Sequence, residues 1–249
     1  MLGLGKLENF LANHIEGFFN KRFASALELA EVMQGLDKKI AELGRGKERH
    51  VVPNKYVLKL SGEDYQKLCA KRVIDEIYAH IEKQVIVQDY IMNGKLTVTC
   101  QAERSRSQGT YNIETFFSES DDSEAGIDDV VNTIVLERPA FNGTKPLNLP
   151  TDYKLVSLTV VEGPDKDSYL EFGEKKIYIG RLDKNEVILT DTNASRMHAW
   201  IAYEQHRHVL YDAQSTNGTY VNDKRIESCY LKPGDKINIG ASVLVYEVI

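Results

Sequence analysis

Residues 175–222 read KKIYIGRLDKNEVILTDTNASRMHAWIAYEQHRHVLYDAQSTNGTYVN. Apolar and polar residues alternate in the short runs IYIG, HAWIAY, HVLYDA and TYVN, so each run presents one apolar face, as a half-buried strand does. The pattern extends outward in both directions. KLVSLTVV and SYLEF precede it, KINIG and VLVYEV follow it, and Gly163-Pro164, Asn222-Asp223 and Pro233-Gly234 supply turns. Many short strands with almost no helical period predict an antiparallel β-sandwich over residues 154–249.

Upstream the character changes. Residues 118–129, SESDDSEAGIDD, open a breaker-rich stretch that continues through Pro139, Gly143, Pro146 and Pro150. Charge is concentrated there: residues 1–118 hold 17 basic and 15 acidic side chains, residues 119–153 hold 2 and 8, and residues 154–249 hold 12 and 14, for a net charge of -6. Such a segment cannot bury enough apolar area to order itself. It is expected to be an acidic flexible linker, 118–153, joining domains at 1–117 and 154–249.

The first domain reads as α+β. Leu4, Leu7, Leu11, Ile15 and Phe18 step at helical spacing, and Leu29, Met33, Leu36, Ile40 and Leu43 do the same. A basic loop, GRGKERH (44–50), leads to strand-like VVPNKYVLKL. Ser61 and Asp64 form a capping signal before a third helix whose buried face is Ala70, Val73, Ile74, Ile77 and Ile81. Asn93-Gly94 between QVIVQDYIM and KLTVTCQAE predicts a hairpin, and GTYNIETFF a further strand.

At the ends of the predicted C-terminal strands stand Gly180-Arg181, Ser195-Arg196-Met197-His198, Ser215-Thr216-Asn217-Gly218-Thr219 and Val221-Asn222. A phosphothreonine brings a charge near -2 and three acceptor oxygens, so a receptor for it needs fixed donors at loop tips. Arg181 and Arg196 offer guanidinium forks, Ser195 and Thr216 hydroxyls, and Asn217 an amide that can both donate and accept. In this order the groups closely resemble the signature of the forkhead-associated (FHA) domain, over about residues 154–249. The resemblance implies a non-catalytic phosphothreonine-binding module: Arg181, Ser195, Arg196 and Thr216 hold the phosphate and Asn217 the peptide main chain. It further implies that His198 is a buried brace for the Ser195 loop and that Gly180 and Gly218 are structural. Ligand selectivity would come from Asn193, whose neutral amide favours an aliphatic residue three places after the phosphothreonine.

The first domain resembles, more loosely, the N-terminal domain of FhaA-type proteins of Gram-positive bacteria, through GLGKLENFLANHIEGFF, VVPNKYVLKLSGEDY and the order of its elements over about residues 1–117. That implies an adaptor in bacterial Ser/Thr kinase signalling, with a kinase or a cell-wall or division protein among its partners, and peripheral association with a membrane protein. Thr133 and Thr144 each have a leucine three places on, Leu136 and Leu147, and are candidate phosphosites for the protein's own FHA site.

Other chemistries are weaker. Ser195 and His198 lack the orienting carboxylate and oxyanion signature of a hydrolase, so no enzyme is expected. His206 and His208 lack further ligands for a metal, and an exposed turn with Glu204, Gln205 and Arg207 is the expected setting. Neither a metal nor a cofactor is expected. Cys69, Cys100 and Cys229 are odd in number and widely spaced, which disfavours a disulfide framework. The alternative function is nucleic-acid binding by the first domain through Arg45, Lys47, Arg49 and His50 with Lys38 and Lys39, disfavoured by its small net charge and by the absence of a G-x-x-G clamp. Phe10, Phe18 and Phe19 beside Lys21 and Arg22 would suit a membrane surface, though core packing or partner contact is the preferred account. With 42% hydrophobic and 27% charged residues, and without an apolar run long enough to span a bilayer, the chain is expected to be cytoplasmic.

Overall fold

The computed structural model describes residues 27–44, 51–118 and 154–249. The stripe from Leu4 to Phe18, the aromatic and basic residues near it, the basic stretch at 45–50, and the acidic segment with Thr133 and Thr144 lie outside those residues. The described residues form an N-terminal α+β unit and a C-terminal β-sandwich, each with its own apolar core.

Helix α1 (Leu29–Gly44) buries Leu29, Met33, Leu36 and Ile40, the stripe its spacing predicts. After β1 (Val51–Val52) comes β2 (Lys55–Leu60), in which Tyr56, Leu58 and Leu60 alternate inward. Ser61 caps α2 (Gly62–Leu68): its hydroxyl accepts from the Asp64 amide at 3.1 Å. The predicted third helix is in fact two. The chain breaks at Cys69-Ala70 and restarts as α3 (Lys71–Val87), with Ala70 held extended as its N-cap residue. Val73, Ile77, Ile81 and Val85 of α3 then pack into the first core.

The Asn93-Gly94 hairpin does not form. QVIV ends α3 rather than starting a strand, and β3 (Ile91–Met92) pairs in parallel with β1. β4 (Thr97–Ala102) pairs in parallel with β2, and β5 (Tyr111–Phe116) completes the sheet antiparallel to β2. The two helices between β2 and β4 make a crossover, and a crossover delivers the next strand parallel. The turn instead bridges two small sheets, with only Gly94 of the pair at positive φ.

The sandwich has one sheet in the order β14 (Ser228–Tyr230), β11 (Arg207–Asp212), β10 (Ala199–Glu204), β8 (Ile177–Gly180), β9 (Val187–Ile188). The other runs β13 (Lys224–Ile226), β12 (Thr219–Val221), β15 (Lys236–Ile239), β16 (Ser242–Val248), β6 (Val156–Glu162), β7 (Tyr169–Phe172). Ile177, Ile179, Ile201, Leu210, Ile237, Leu244 and others interdigitate between them. Asn222 and Asp223 both have positive φ, the two-residue turn their side chains tolerate, and pair Val221 with Lys224.

Of the turn expected to be exposed, Glu204 and Gln205 are exposed, but Arg207 is buried and, with His206, forms the joint between the two units. Ile86 of α3 is fully buried in the core of the sandwich. Glu82, 2% exposed, accepts from the Tyr203 hydroxyl and from His206 Nδ1 at 2.7 Å, while His206 Nε2 meets the Gly94 carbonyl at 2.8 Å. A carboxylate and a carbonyl can only accept, so His206 donates from both nitrogens and is an imidazolium. Burial alone would lower its pKa, but the bond to Glu82 and its charge outweigh that and raise it. Beside it Arg207, 1% exposed, donates to Asp89 at 2.6 Å, to the Tyr90 carbonyl at 3.2 Å and to the Leu231 carbonyl at 3.0 Å. Burial would raise the Asp89 pKa, yet bonds from Lys232 and Arg207 hold it below the usual range.

Because the folded pKa of His206 is raised, its pairing contributes fully below the ordinary histidine value and is lost as pH rises through the raised one. Glu82→Ala should destabilise the protein by about 3 kcal/mol, as removal of one partner from a buried ion pair does. Hydrogen exchange should quicken at residues 88–94 and 203–208 and stay unchanged in β15 and β16. Unaltered protection at the joint would refute this account.

Candidate functional site

Strand β8 ends, β10 begins, β11 ends and β12 begins at one end of the sandwich, so the loops at 181–186, 189–198 and 213–218 converge there. Gly180 makes the first approach possible. Its φ is +150°, and a β-carbon on it would stand 2.6 Å from the Arg196 carbonyl oxygen and 2.7 Å from that of Ser195. The Arg181 and Leu182 amides donate to these same two carbonyls, each at 3.0 Å. Asn185, buried, adds a side-chain bond to the Arg196 carbonyl at 2.9 Å.

His198 joins the second loop to the third. Fully buried, it accepts from the Ser195 amide at Nδ1, 2.9 Å, and its Nε2 lies 3.1 Å from the Gly218 carbonyl. An amide can only donate and a carbonyl only accept, so the ring is neutral with its proton on Nε2. Burial lowers its pKa, which keeps that form. The Ser195 hydroxyl is not bonded to His198; it accepts from the Thr216 amide at 3.1 Å. Ser195 and His198 are therefore arranged as a brace, not as nucleophile and base.

Two aspartates hold the loops. Asp191, 3% exposed, accepts from the Asn193 amide at 2.9 Å, the Ala241 amide at 2.6 Å and the Ser242 hydroxyl at 3.1 Å. Asp212 accepts from the Ser215 amide and hydroxyl and from the Thr219 hydroxyl. Burial would raise both pKa values, but these donors hold both low. Sequence reasoning missed Asp191, Asp212 and Asn185. Asp191 and Asp212 carry a legible signal, an aspartate two or three residues before the amide it accepts, which is the pattern of an Asx turn.

Arg181, Leu182, Ser195, Arg196, Met197 and Thr216 together line an open depression of about 480 Å³. Arg181 is fixed by its Nε on the Ala194 carbonyl at 2.7 Å, and neither Arg181 nor Arg196 forms an ion pair among the described residues. Asn217 does not line the depression. It stands at the rim, donating to the Asn193 carbonyl at 2.8 Å, so Asn217 and Asn193 are neighbours. Gly218 lies beneath, with its carbonyl on His198. Two unpaired guanidinium groups beside two hydroxyls and loop amides suit a dianionic, oxygen-rich group.

The FHA domain family model matches residues 177–240, which span every loop of this depression. Glycogen accumulation regulator GarA of Mycolicibacterium smegmatis is 33% identical over 116 residues, 45% of this chain and 72% of that protein. The chain belongs to the FHA family. The model of the FhaA N-terminal domain matches residues 4–114, so this FHA protein also carries an FhaA-type first unit. The oxoglutarate dehydrogenase inhibitor of Corynebacterium efficiens is 33% identical over 108 residues, 43% of this chain and 73% of that protein. Among solved structures, the FhaA FHA domain complexed with the intracellular domain of Rv3910 is 30% identical and covers 37% of this chain and 99% of that one, with a TM-score of 0.34.

The second buried histidine of the sandwich, His208, is kept neutral by its burial. Its Nε2 lies 2.8 Å from the Gly173 carbonyl, its Nδ1 2.8 Å from the Tyr246 hydroxyl, and burial pushes its pKa down to about 4. A histidine whose folded pKa is depressed contributes stability above its unfolded value that is lost as pH falls toward the folded one. The urea midpoint of the FHA unit should therefore fall between about pH 6.5 and pH 4, with His208 accounting for about 3 kcal/mol. In His208→Gln the fall should be shallower. An equally steep profile in that variant would assign the acid lability elsewhere.

Proposed function

We propose that this chain is a non-catalytic adaptor that captures phosphothreonine-bearing protein segments. Arg181, Arg196, Ser195 and Thr216 hold the phosphate, Asn217 the ligand main chain, and Asn193 stands beside the residue three places after the phosphothreonine. The observation that carries this reading is the meeting of Arg181, Ser195, Arg196 and Thr216 around one depression, with the two guanidinium groups unpaired. The functional limits are 1–117 for the first domain, 118–153 for the connecting segment and 154–249 for the FHA domain.

The FhaA-type first unit supports a place in bacterial Ser/Thr kinase signalling connected with cell-wall synthesis or cell division. The partner is a kinase or a kinase substrate, membrane proteins included. Its ligand is made by an ATP-dependent kinase, which puts the adaptor in the ATP-containing cytoplasm. Among the described residues no helix is long and apolar enough to cross a membrane.

Thr133 and Thr144 are proposed as phosphosites that occupy this same site in the chain or in a second copy. From Ser118 to Thr133 and from Thr144 to Lys154 an extended chain reaches about 50 Å and 34 Å. Hairpin β10–β11, which separates the joint from the depression, is about 20 Å long. A tether of that reach gives a high local concentration.

Fluorescence polarisation with a phosphothreonine peptide and its unphosphorylated twin tests the site. Arg181→Ala should weaken phosphate-dependent binding by roughly tenfold to a hundredfold, the effect of a lost hydrogen bond to a charged group, and leave the fold intact. Equal affinity of variant and wild type would remove Arg181 from the site. For the connecting segment, kinase treatment followed by mass spectrometry should locate phosphate on Thr133 or Thr144 and lower the affinity for the external peptide. Unchanged affinity of the phosphorylated chain would end that proposal.

A further inference from the structure

Beside the loop at 215–218, whose Thr216 lines the depression, lies a third guanidinium that the motif does not include. Across the Asn222-Asp223 turn, Arg225 pairs with Tyr220, so the two side chains share one face of the β12–β13 hairpin. Both lean toward the loop at 215–218. The Tyr220 hydroxyl is 3.5 Å from the Asn217 carbonyl. Arg225 lies against Gly218: a β-carbon there would be 2.6 Å from its Nε and 3.2 Å from its Nη2. Gly218, at φ +82°, leaves the space that the guanidinium fills.

Arg225 is exposed and forms no ion pair among the described residues. It is therefore a positioned cation, lying against the glycine that follows the asparagine assigned to the ligand main chain, with its donors uncommitted. A guanidinium with a free fork recognises carboxylate and phosphate oxygens. Asn193, the other neighbour of Asn217, is neutral, so the two flanks of Asn217 differ in what they attract.

We propose that Arg225 is a specificity-determining residue that reads an anionic side chain of the ligand, a carboxylate or a second phosphate, on the Asn217 side of the phosphothreonine. This rests on the phosphothreonine reading above. It makes the preferred ligand an acidic or doubly phosphorylated segment, with the aliphatic preference confined to the position beside Asn193.

The test uses the full chain and one phosphothreonine peptide with alanine at the four following positions. Glutamate, or a second phosphothreonine, is then placed at each position in turn. Wild type should bind the glutamate peptide about fivefold to tenfold tighter than the alanine peptide at one position. The phosphate arm shows whether the second phosphate is read there as well, and with a larger gain. In Arg225→Ala and Arg225→Gln that gain should vanish. No gain at any position in either arm, or a gain that survives both substitutions, overturns the assignment of Arg225 alone. Failure of wild type to prefer the alanine phosphopeptide over its unphosphorylated twin overturns the phosphothreonine reading itself.

Discussion

The neutral imidazole of His198 is the constraint on which the site depends. It ties the Ser195 amide to the Gly218 carbonyl, and through them two loops separated in sequence by a whole β-hairpin. With that tie in place the Ser195 hydroxyl can accept from the Thr216 amide, and Asn217 can reach the Asn193 carbonyl. A protonated ring could not accept from the Ser195 amide, so the geometry requires the uncharged form, and burial supplies it. The loop that lines the depression with Ser195 and Arg196 is thus braced by a group that carries no charge of its own.

Three histidines within eleven residues show how environment, not residue type, decides charge. His198 faces one donor and one acceptor and stays neutral, His208 is kept neutral by burial, and His206 faces two acceptors and is cationic. The first stands at the loop end of hairpin β10–β11, and the other two stand at the joint end. One hairpin therefore connects the depression to the interface with the N-terminal unit, and His206 responds to acid with a sign opposite to that of His198 and His208. Below the ordinary histidine pKa the His206–Glu82 pair is retained while the neutral contacts of His198 and His208 lose stability.

Much of this was legible in the sequence, for identifiable reasons. Alternation with period two and glycine-rich or Asn-Asp turns carry the sandwich, because a strand with one buried face must alternate. Loop-tip residues of FHA type carry the depression. What the sequence does not display are relations set by tertiary pairing. Asn93-Gly94 has the composition of a hairpin turn, yet the crossover through α2 and α3 commits both following strands to parallel partners. Gln205, His206 and Arg207 look like a polar surface turn, and the burial of Arg207 and much of His206 depends on Glu82 and Asp89, more than a hundred residues upstream. Arg225 is intermediate. The two-residue turn at Asn222-Asp223 fixes its register with Tyr220, but nothing local shows that this face leans on Gly218.

The cations of the site are held by the backbone, not by carboxylates, and this has an energetic consequence. Arg181 is anchored through Nε to the Ala194 carbonyl and Arg225 against the Gly218 backbone, so each is oriented while its terminal nitrogens stay uncommitted. An arginine already paired to an aspartate would have to break that pair before meeting a phosphate, and one left free in solvent would lose side-chain entropy on binding. A backbone carbonyl or a bare glycine peptide fixes the direction of the side chain without neutralising it. The carboxylates of the same loops, Asp191 and Asp212, are turned inward onto amides and hydroxyls, where they organise the backbone and do not compete for the guanidinium groups. That separation, acids inward on the main chain and arginines outward without partners, lets a net-negative protein present a cationic face at one end of its sandwich.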